Sequence, residues 1–443
     1  MPHSDRTTIQ SFATRVANFP RMPFTTSLRN RLIRSSLVAT VGGGAIFASC
    51  ANGATTVGPV PEDPGVIQAP ASIALTGVHV VPMTTAQRLD NQTVIISNGR
   101  ILSITPAGSS PLPLGATVID GRGRFLMPAL IDMHVHLRRA ELPMYFRAGV
   151  TTVRNMWGHA DVATMKRAIA DGTLIGPTVH STSNGFDGNP PQWPYTKILL
   201  DAREADGAVQ SAVNEGWMAV KVYQRLSLEV YDSIALSAKR RGMDFVGHVP
   251  SLVPVLHALD VGQRSIEHLS GYDFAVARRP NGGTFAWAEA DESRFAELVR
   301  RTVQAGTWNC PTLAIYVHLA EQHSPNERAV VIATRRRFVA ELARQGARLL
   351  VGTDTGIDVV TPSAIHEELS ELVAAGLTPY QALRGATIDA AEFLRAPGLG
   401  TVTAGAPAEL LLLDGDPLAN VGNAKRIAGV IARGTWYPAR ALQ

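Results

Sequence analysis

The chain has 443 residues, 45% of them hydrophobic and 18% charged, with a formal net charge of +4. That balance excludes a disordered chain and leaves room for a large core and more than one folding unit. Residues 1–49 hold six arginines and one acid, so without them the 41 basic and 37 acidic residues become 35 and 36; the body gives no electrostatic case for nucleic acid.

Arg29, Arg31 and Arg34 precede a short apolar stretch, Leu37 to Ala48, and then small residues. These are the three regions of an export signal. Phe47-Ala48-Ser49-Cys50 resembles a bacterial lipoprotein box with Cys50 as the lipidated residue, although Phe47 stands where Leu is usual. Cleavage after Ala51 or Ala54 is the other reading. Residues 1–50 are therefore expected to be a leader. The mature protein would then be exported, periplasmic or anchored through lipid on Cys50 in a bacterium. No apolar run approaches the ~20 residues that cross a bilayer. Cys50 and Cys310 are the only cysteines, which leaves no disulfide framework and no cysteine-type zinc site.

Residues 51–71 are rich in Gly, Pro and small residues and read as a linker. The next stretch looks all-β. Thr93–Ser97 and Arg100–Ile104 flank Asn98-Gly99, a two-residue hairpin signal. Val78–Val81 and Ala116–Ile119 are further short strands. From residue 125 apolar strands alternate with helical patterns. The strands are Phe125–His136, Thr151–Asn155, Thr178–Ser181, Ala219–Tyr223, Phe245–His248, Ser265–His268, Thr312–Ile315 and Leu349–Asp354. Helices such as Ala160–Ala170, Leu228–Arg241 and Glu292–Ala305 lie between them. Eight strands with crossovers predict a parallel (β/α)8 TIM-like barrel over 125–399. A late helix, Pro379–Leu394, starts on a capping-box pattern at Thr378-Pro379-Tyr380-Gln381. The strands Glu409–Asp414 and Ile427–Ala432 cannot bury two faces alone. They are expected to join residues 72–124, so that 72–124 with 400–443 forms a small β-sandwich domain.

His134 and His136 alternate to one face of their strand and can close on one metal ion, with Asp132 one layer deeper. In a barrel the strand ends converge on one mouth. That gathers His134, His136, Lys221, His248, His268 and Asp354, a set suited to a first-row divalent ion such as zinc. Lys221, among apolar neighbours, should have a depressed pKa. Its neutral amine could take up carbon dioxide as a carbamate, an oxygen ligand able to bridge two ions. His180 ends a strand, with two readings open, a mouth residue or a core one. Tyr223 shares the parity of Lys221, and with Arg225 beside it is a candidate substrate contact. Residues 185–194 read as a long loop over the mouth that sets specificity. His366-Glu367-Glu368 is expected to support the site or cap a helix.

Several stretches together resemble the amidohydrolase superfamily, within its imidazolonepropionase-like and prolidase-like branch. They are Met127-Pro-Ala-Leu-Ile-Asp-Met-His-Val-His136, Gly149-Val-Thr-Thr-Val-Arg154, Val220-Lys-Val-Tyr223, Val246-Gly-His-Val-Pro250, Ser265-Ile-Glu-His268, Val351-Gly-Thr-Asp-Thr355 and Gly405-Ala-Pro-Ala-Glu409 with the strand after it. The resemblance implies a binuclear site, with His134 and His136 on the buried ion, His248 and His268 on the exposed one, carboxylated Lys221 bridging, and Asp354 on the buried ion. It implies a metal-dependent hydrolase that cleaves amide or peptide-type C–N bonds of a small molecule by attack of a hydroxide bridging the two ions. Asp354 acts first as base and then as acid, and a dipeptidase or N-acyl amino acid hydrolase fits. A cyclic-amide, lactone or phosphoester hydrolase would use the same site, and a non-catalytic binding protein would be expected to have lost ligands. Asn155 stands where relatives often carry Asp, and Glu409 where many have Asp.

Overall fold

The computed structural model describes residues 72–278, 284–319, 324–357 and 360–442. The expected leader, its Cys50 and the linker lie outside the described residues.

Strands from both ends of the chain build one sheet. From the N-terminal side come β1 (Ile73–Val80), β2 (Leu89–Ser97), β3 (Arg100–Pro106), β4 (Thr117–Asp120) and β5 (Phe125–Pro128). The C-terminal side adds β15 (Leu410–Leu413), β16 (Ile427–Ala432) and β17 (Thr435–Pro438). Their order is β17-β16-β15-β5-β1-β2-β3, with β4 beside β1. β2 and β3 close the predicted hairpin. Asn98 and Gly99 both have positive φ, as its two-residue turn requires.

The junction is β5, parallel to β1 and antiparallel to β15. It merges the two groups into a single sheet; the second, facing sheet of the expected sandwich is not found among the described residues. Alternation along the strands assigns the two faces. Val80, Leu126, Leu410 and Leu412 pack with Ile96 and Trp436 in the sheet's own core. Val81, Met127, Leu411 and Leu413 point the other way, into the larger core shared with the helices.

The central strands are parallel, as expected. β6 (Leu130–Val135), β7 (Val150–Asn155) and β8 (Thr178–Ser181) form one run. β9 (Gly185–Asp187), β10 (Lys197–Ile198), β11 (Ala219–Val222), β12 (Asp244–Gly247), β13 (Ser265–Glu267) and β14 (Trp308–Cys310) form another, ordered β10-β9-β11-β12-β13-β14. The ladder is not continuous around a closed barrel. Single bonds span its gaps: Met218 N–H to Ser181 and Ser183 N–H to Ala219 on one side. On the other, Leu350 N–H reaches Asn309, Met133 N–H reaches Val351, and Asp354 N–H reaches His134. The expected eighth strand, Leu349–Asp354, is held only by such bonds and bridges. Asp354 itself takes a left-handed backbone (φ 60°) that stops a regular ladder.

Two further expectations are corrected. The seventh strand lies at Trp308–Cys310, and Leu313–Leu319 is helical. Pro311 has no N–H for a ladder, and Thr312 turns the chain at φ 49°. Pro379–Leu394 is two helices, Pro379–Gly385 and Ile388–Phe393. The carbonyls of Gly385 and Ala386 accept from Val351 and Ile131, so they are drawn out of the helix toward the strands. The predicted capping box on Thr378 and Gln381 is present.

Gly400 sits at φ 74°, and a Cβ there would lie 2.5 Å from the backbone carbon of Thr387. Backbone on both sides cannot give way. Gly400→Ala is therefore expected to cost about 3 kcal/mol in denaturant unfolding; a loss within 0.5 kcal/mol, the usual scatter for neutral sites, would contradict this close approach.

Candidate metal centre

His134, His136, Lys221, His248, His268 and Asp354 come together at the C-terminal ends of the central strands. Ring centroids are 5.5 Å apart for His134–His136, 4.5 Å for His134–His268 and 4.8 Å for His248–His268. Asp354 Oδ1 lies 3.2 Å from His134 Nε2 and 3.1 Å from His136 Nε2. Its Oδ2 lies 4.0 Å from His268 Nε2. One ligand atom each from His134, His268 and Asp354 fall within 4.8 Å of one another.

Local backbone aims these groups. His268 and Asp354 both have positive φ, 62° and 60°, a strained conformation for residues with a Cβ. Gly352 has room only for a hydrogen, because a Cβ would lie 2.7 Å from His134 Cβ and 2.5 Å from Cys310 Sγ. Gly247, at φ 128°, likewise clears the Lys221 stem, which would meet a Cβ at 2.9 Å.

Two rings are oriented through their second nitrogen. His134 Nδ1 is 2.8 Å from Glu267 Oε2. Arg154 Nη2 donates to both oxygens of that carboxylate at 2.9 and 3.0 Å, and its Nε donates to the Met133 carbonyl. His268 Nδ1 is 2.7 Å from Thr312 Oγ1, whose own proton goes to the Pro311 carbonyl. In each case a neutral ring carries its hydrogen on Nδ1, which leaves the lone pair on Nε2. In that form His134 Nε2 faces a carboxylate oxygen at 3.2 Å. Two electron-rich atoms at that distance repel unless positive charge lies between them.

Other buried atoms point to the same need. Lys221 Nζ, His134 Nε2, His248 Nδ1 and Asp354 Oδ1 have no hydrogen-bond partner among the described residues. Burial lowers the pKa of His136, His248 and His268, which favours neutral, ligating imidazoles. Burial pushes the Asp354 carboxyl up, but the imidazoles of His268, His134 and His136 beside it overcome this and hold the group well below the usual range. Burial brings the Lys221 amine down to about 8, with Glu267 and Asp354 opposing.

The remaining expected residues divide. Tyr223 packs on His248 with centroids 4.3 Å apart, so it stands at the cluster. The Arg225 guanidinium donates to the Pro190 carbonyl, and its backbone N–H to Asp187. His180 is half-buried; burial lowers its pKa, and the charge that reaches it is Lys166 of the outer helix Ala160–Ala170, not a group of the cluster. Asp132 accepts from the backbone of His134 and Thr353 and from the Thr353 hydroxyl, tying β6 to residues 353–355. Glu368 accepts from Ala314 N–H at 2.7 Å and so caps the helix Leu313–Leu319. Asn155 accepts from Leu137 N–H and donates to Ser181 Oγ, a donor role that an Asp could not fill. Glu409 accepts from Arg433 N–H inside the small sheet.

Sequence reasoning missed Arg154, Glu267, Thr312 and Trp157, and read Trp193 only as part of the 185–194 loop. A signal existed for the first two. Each is a charge within a strand read from the sequence, and Ser265 and Glu267 share one parity.

Comparison with known proteins places these residues in a wider group. The sequence profile of the amidohydrolase family matches residues 125–437. Among curated proteins, adenine deaminase 2 of Bradyrhizobium sp. (strain ORS 278) is 23% identical over 382 residues, covering 82% of this chain and 56% of that protein. Pterin deaminase of Rhizobium rhizogenes is 22% identical over 398 residues, covering 77% and 87%. The chain thus spans about half the length of the adenine deaminases it matches. A solved Xaa-Pro dipeptidase with bound methionine superposes with a TM-score of 0.68 at 21% identity, over 83% of this chain and all of that one. A putative prolidase from Bifidobacterium longum gives 0.69 at 23%, over 84% and 98%. These structures share the fold.

The ion pair behind His134 generates a stability test. Glu267→Gln leaves the buried Arg154 charge uncompensated and is expected to cost about 3–5 kcal/mol in denaturant unfolding. Arg154→Met combined with Glu267→Gln should recover much of that loss. Equal loss in the single and double variants would refute the pairing.

Proposed function

The chain belongs to the amidohydrolase family, and from that premise we propose that it is a metal-dependent hydrolase of small-molecule C–N bonds, acting on amide or peptide-type substrates. The observation that carries this reading is the His134–Asp354 approach, where Nε2 and a carboxylate oxygen meet at 3.2 Å with Nδ1 already committed to Glu267. The donor set suits a divalent cation such as zinc: neutral imidazoles, an ionised carboxylate and a lysine of lowered pKa. His134, His136 and Asp354 would hold one ion, and His248 and His268 a second. Lys221, neutral in a good fraction of molecules near pH 8, would add to carbon dioxide with release of a proton. The resulting carbamate would give both ions an oxygen. A divalent ion there would supply a nucleophile near neutral pH and polarise the bond under attack.

The chain's own groups then have defined tasks. Ionised Asp354 takes a proton on a carboxylate oxygen from the attacking water and passes it to the leaving nitrogen. Glu267, backed by Arg154, keeps the proton of His134 on Nδ1 and so keeps Nε2 free. Thr312 does the same for His268. The hydroxyl of Tyr223 reaches the substrate oxygen on which charge develops.

A second reading, release of ammonia from a nitrogen heterocycle, is favoured by the curated relatives, which are named adenine and pterin deaminases. It uses the same bond class and the same site. Dipeptides, N-acyl amino acids and aminopurines assayed side by side would separate the two.

Protein stripped by chelator should lose turnover and regain it with zinc or manganese. Asp354→Asn should lower kcat by at least about 10³-fold, the scale for a group that moves the reacting proton. A pure sample that binds no divalent ion and cleaves nothing in the panel would refute the proposal. Lys221→Ala should hold one equivalent of metal by elemental analysis where the parent holds two; two equivalents in the variant would remove the bridging role.

A further inference from the structure

The wall of the mouth beside His136 and His248 is aromatic and stitched in place. Trp157 lies 6.3 Å from His136 and 5.2 Å from Tyr223, centroid to centroid. Its indole N–H donates to the Pro194 carbonyl at 2.9 Å. Its ring lies over Gly185, where a Cβ would come within 2.0 Å of it. Around it, the Arg225 guanidinium holds the Pro190 carbonyl, Asn184 Nδ2 holds that of Tyr195, and Thr196 Oγ1 that of Trp193. Residues 190–195 are exposed, but the side chains of Trp157, Asn184 and Arg225 tie their backbone to the mouth.

From this loop, Trp193 Nε1 donates to the Tyr223 hydroxyl at 2.7 Å. An indole N–H can only donate, so the tyrosine oxygen must accept. The one proton of that hydroxyl is left for another partner, and no second hydrogen bond holds it among the described residues. A phenol keeps its proton through the neutral range. Tyr223 is buried, and its ring rests on His248.

We infer that Trp193 is a positioning residue: by occupying the acceptor side of the Tyr223 hydroxyl from a loop tied to the mouth, it commits that hydroxyl to donate into the cluster. An unconstrained phenol hydroxyl could accept as readily as it donates, and it rotates between the two. The constraint makes Tyr223 a ready donor for the carbonyl oxygen that gains charge when an amide C–N bond is attacked. Trp193 itself touches no reacting atom. This rests on the hydrolase reading for its use, but not for its geometry.

Trp193→Phe keeps the ring and removes the N–H. With the metal-loaded enzyme on its best substrate, Tyr223→Phe is expected to lower kcat about 10²-fold, the scale of one lost oxyanion donor. Trp193→Phe should lower kcat about tenfold with KM little changed, a partial share of that same donor effect. Added to Tyr223→Phe, it should cost nothing more. Independent, multiplying effects, or an effect of Trp193→Phe on KM alone, would overturn the inference. A second readout needs no turnover. In ¹⁵N-labelled protein, the indole N–H signal that disappears in Trp193→Phe should shift and exchange faster in Tyr223→Phe. A signal that stays in place would overturn the hydrogen bond. A wild-type enzyme with no turnover at all would instead count against the hydrolase reading, and the indole signal would still decide the contact.

Discussion

The candidate metal centre hangs on one fully buried carboxylate. Glu267 lies wholly inside the protein, between the guanidinium of Arg154 and the ring of His134. Burial works against its charge, but Arg154 leads the interactions that reverse this and hold its pKa far below the ordinary range. Arg154 in turn grips the Met133 carbonyl and Ser265 Oγ, and lies over the Phe393 ring. One cation therefore joins β6, β7, β13 and the helix Ile388–Phe393. The ring of His134 inherits its direction from that joint, and Asp354 meets its free nitrogen from the far side. Fold and chemistry share a single set of contacts here.

Much of this was legible from sequence, for identifiable reasons. Strand alternation put His134 and His136 together, and the apolar strands predicted their parallel order. Asn98-Gly99 and Thr378–Gln381 encode their turn and cap locally, so they read true. What failed was what depends on distant partners. The break at Ala386-Thr387 exists because strand amides take its carbonyls, and no window of sequence contains both. The seventh strand slipped because Thr312–Ile315 looks β-branched and apolar, while Pro311 and the left-handed Thr312 end the strand before it. The facing sheet expected of a sandwich is not found among the described residues, where β5 joins the N- and C-terminal strands into one sheet.

The candidate site showed the same division. The six proposed ligands were named from residue type and strand-end position. Their supports were not, since Glu267 and Arg154 lie inside motifs already quoted and only coordinates pair them. Arg225 was read as a charge beside the mouth, while its tie to a loop carbonyl is visible only in the fold. The aromatic wall could be anticipated only as a loop. That Trp193 would reach the hydroxyl of Tyr223, thirty residues away, is a fact of folded distance.

The seam at β5 also bears on how the molecule is made. Phe125–Pro128 is among the earlier strands to leave the ribosome, yet its partner Leu410–Leu413 is synthesised about 280 residues later. Until then one side of β5 has bare amides and carbonyls, beside a strand as apolar as Leu410-Leu-Leu-Leu413 is bound to want. The nascent chain thus carries an open, sticky flank through most of translation, and the central strands must form while the sheet that abuts them is unfinished. Truncation anywhere before residue 413 would leave that flank exposed for good, a recipe for aggregation and not for a smaller working enzyme.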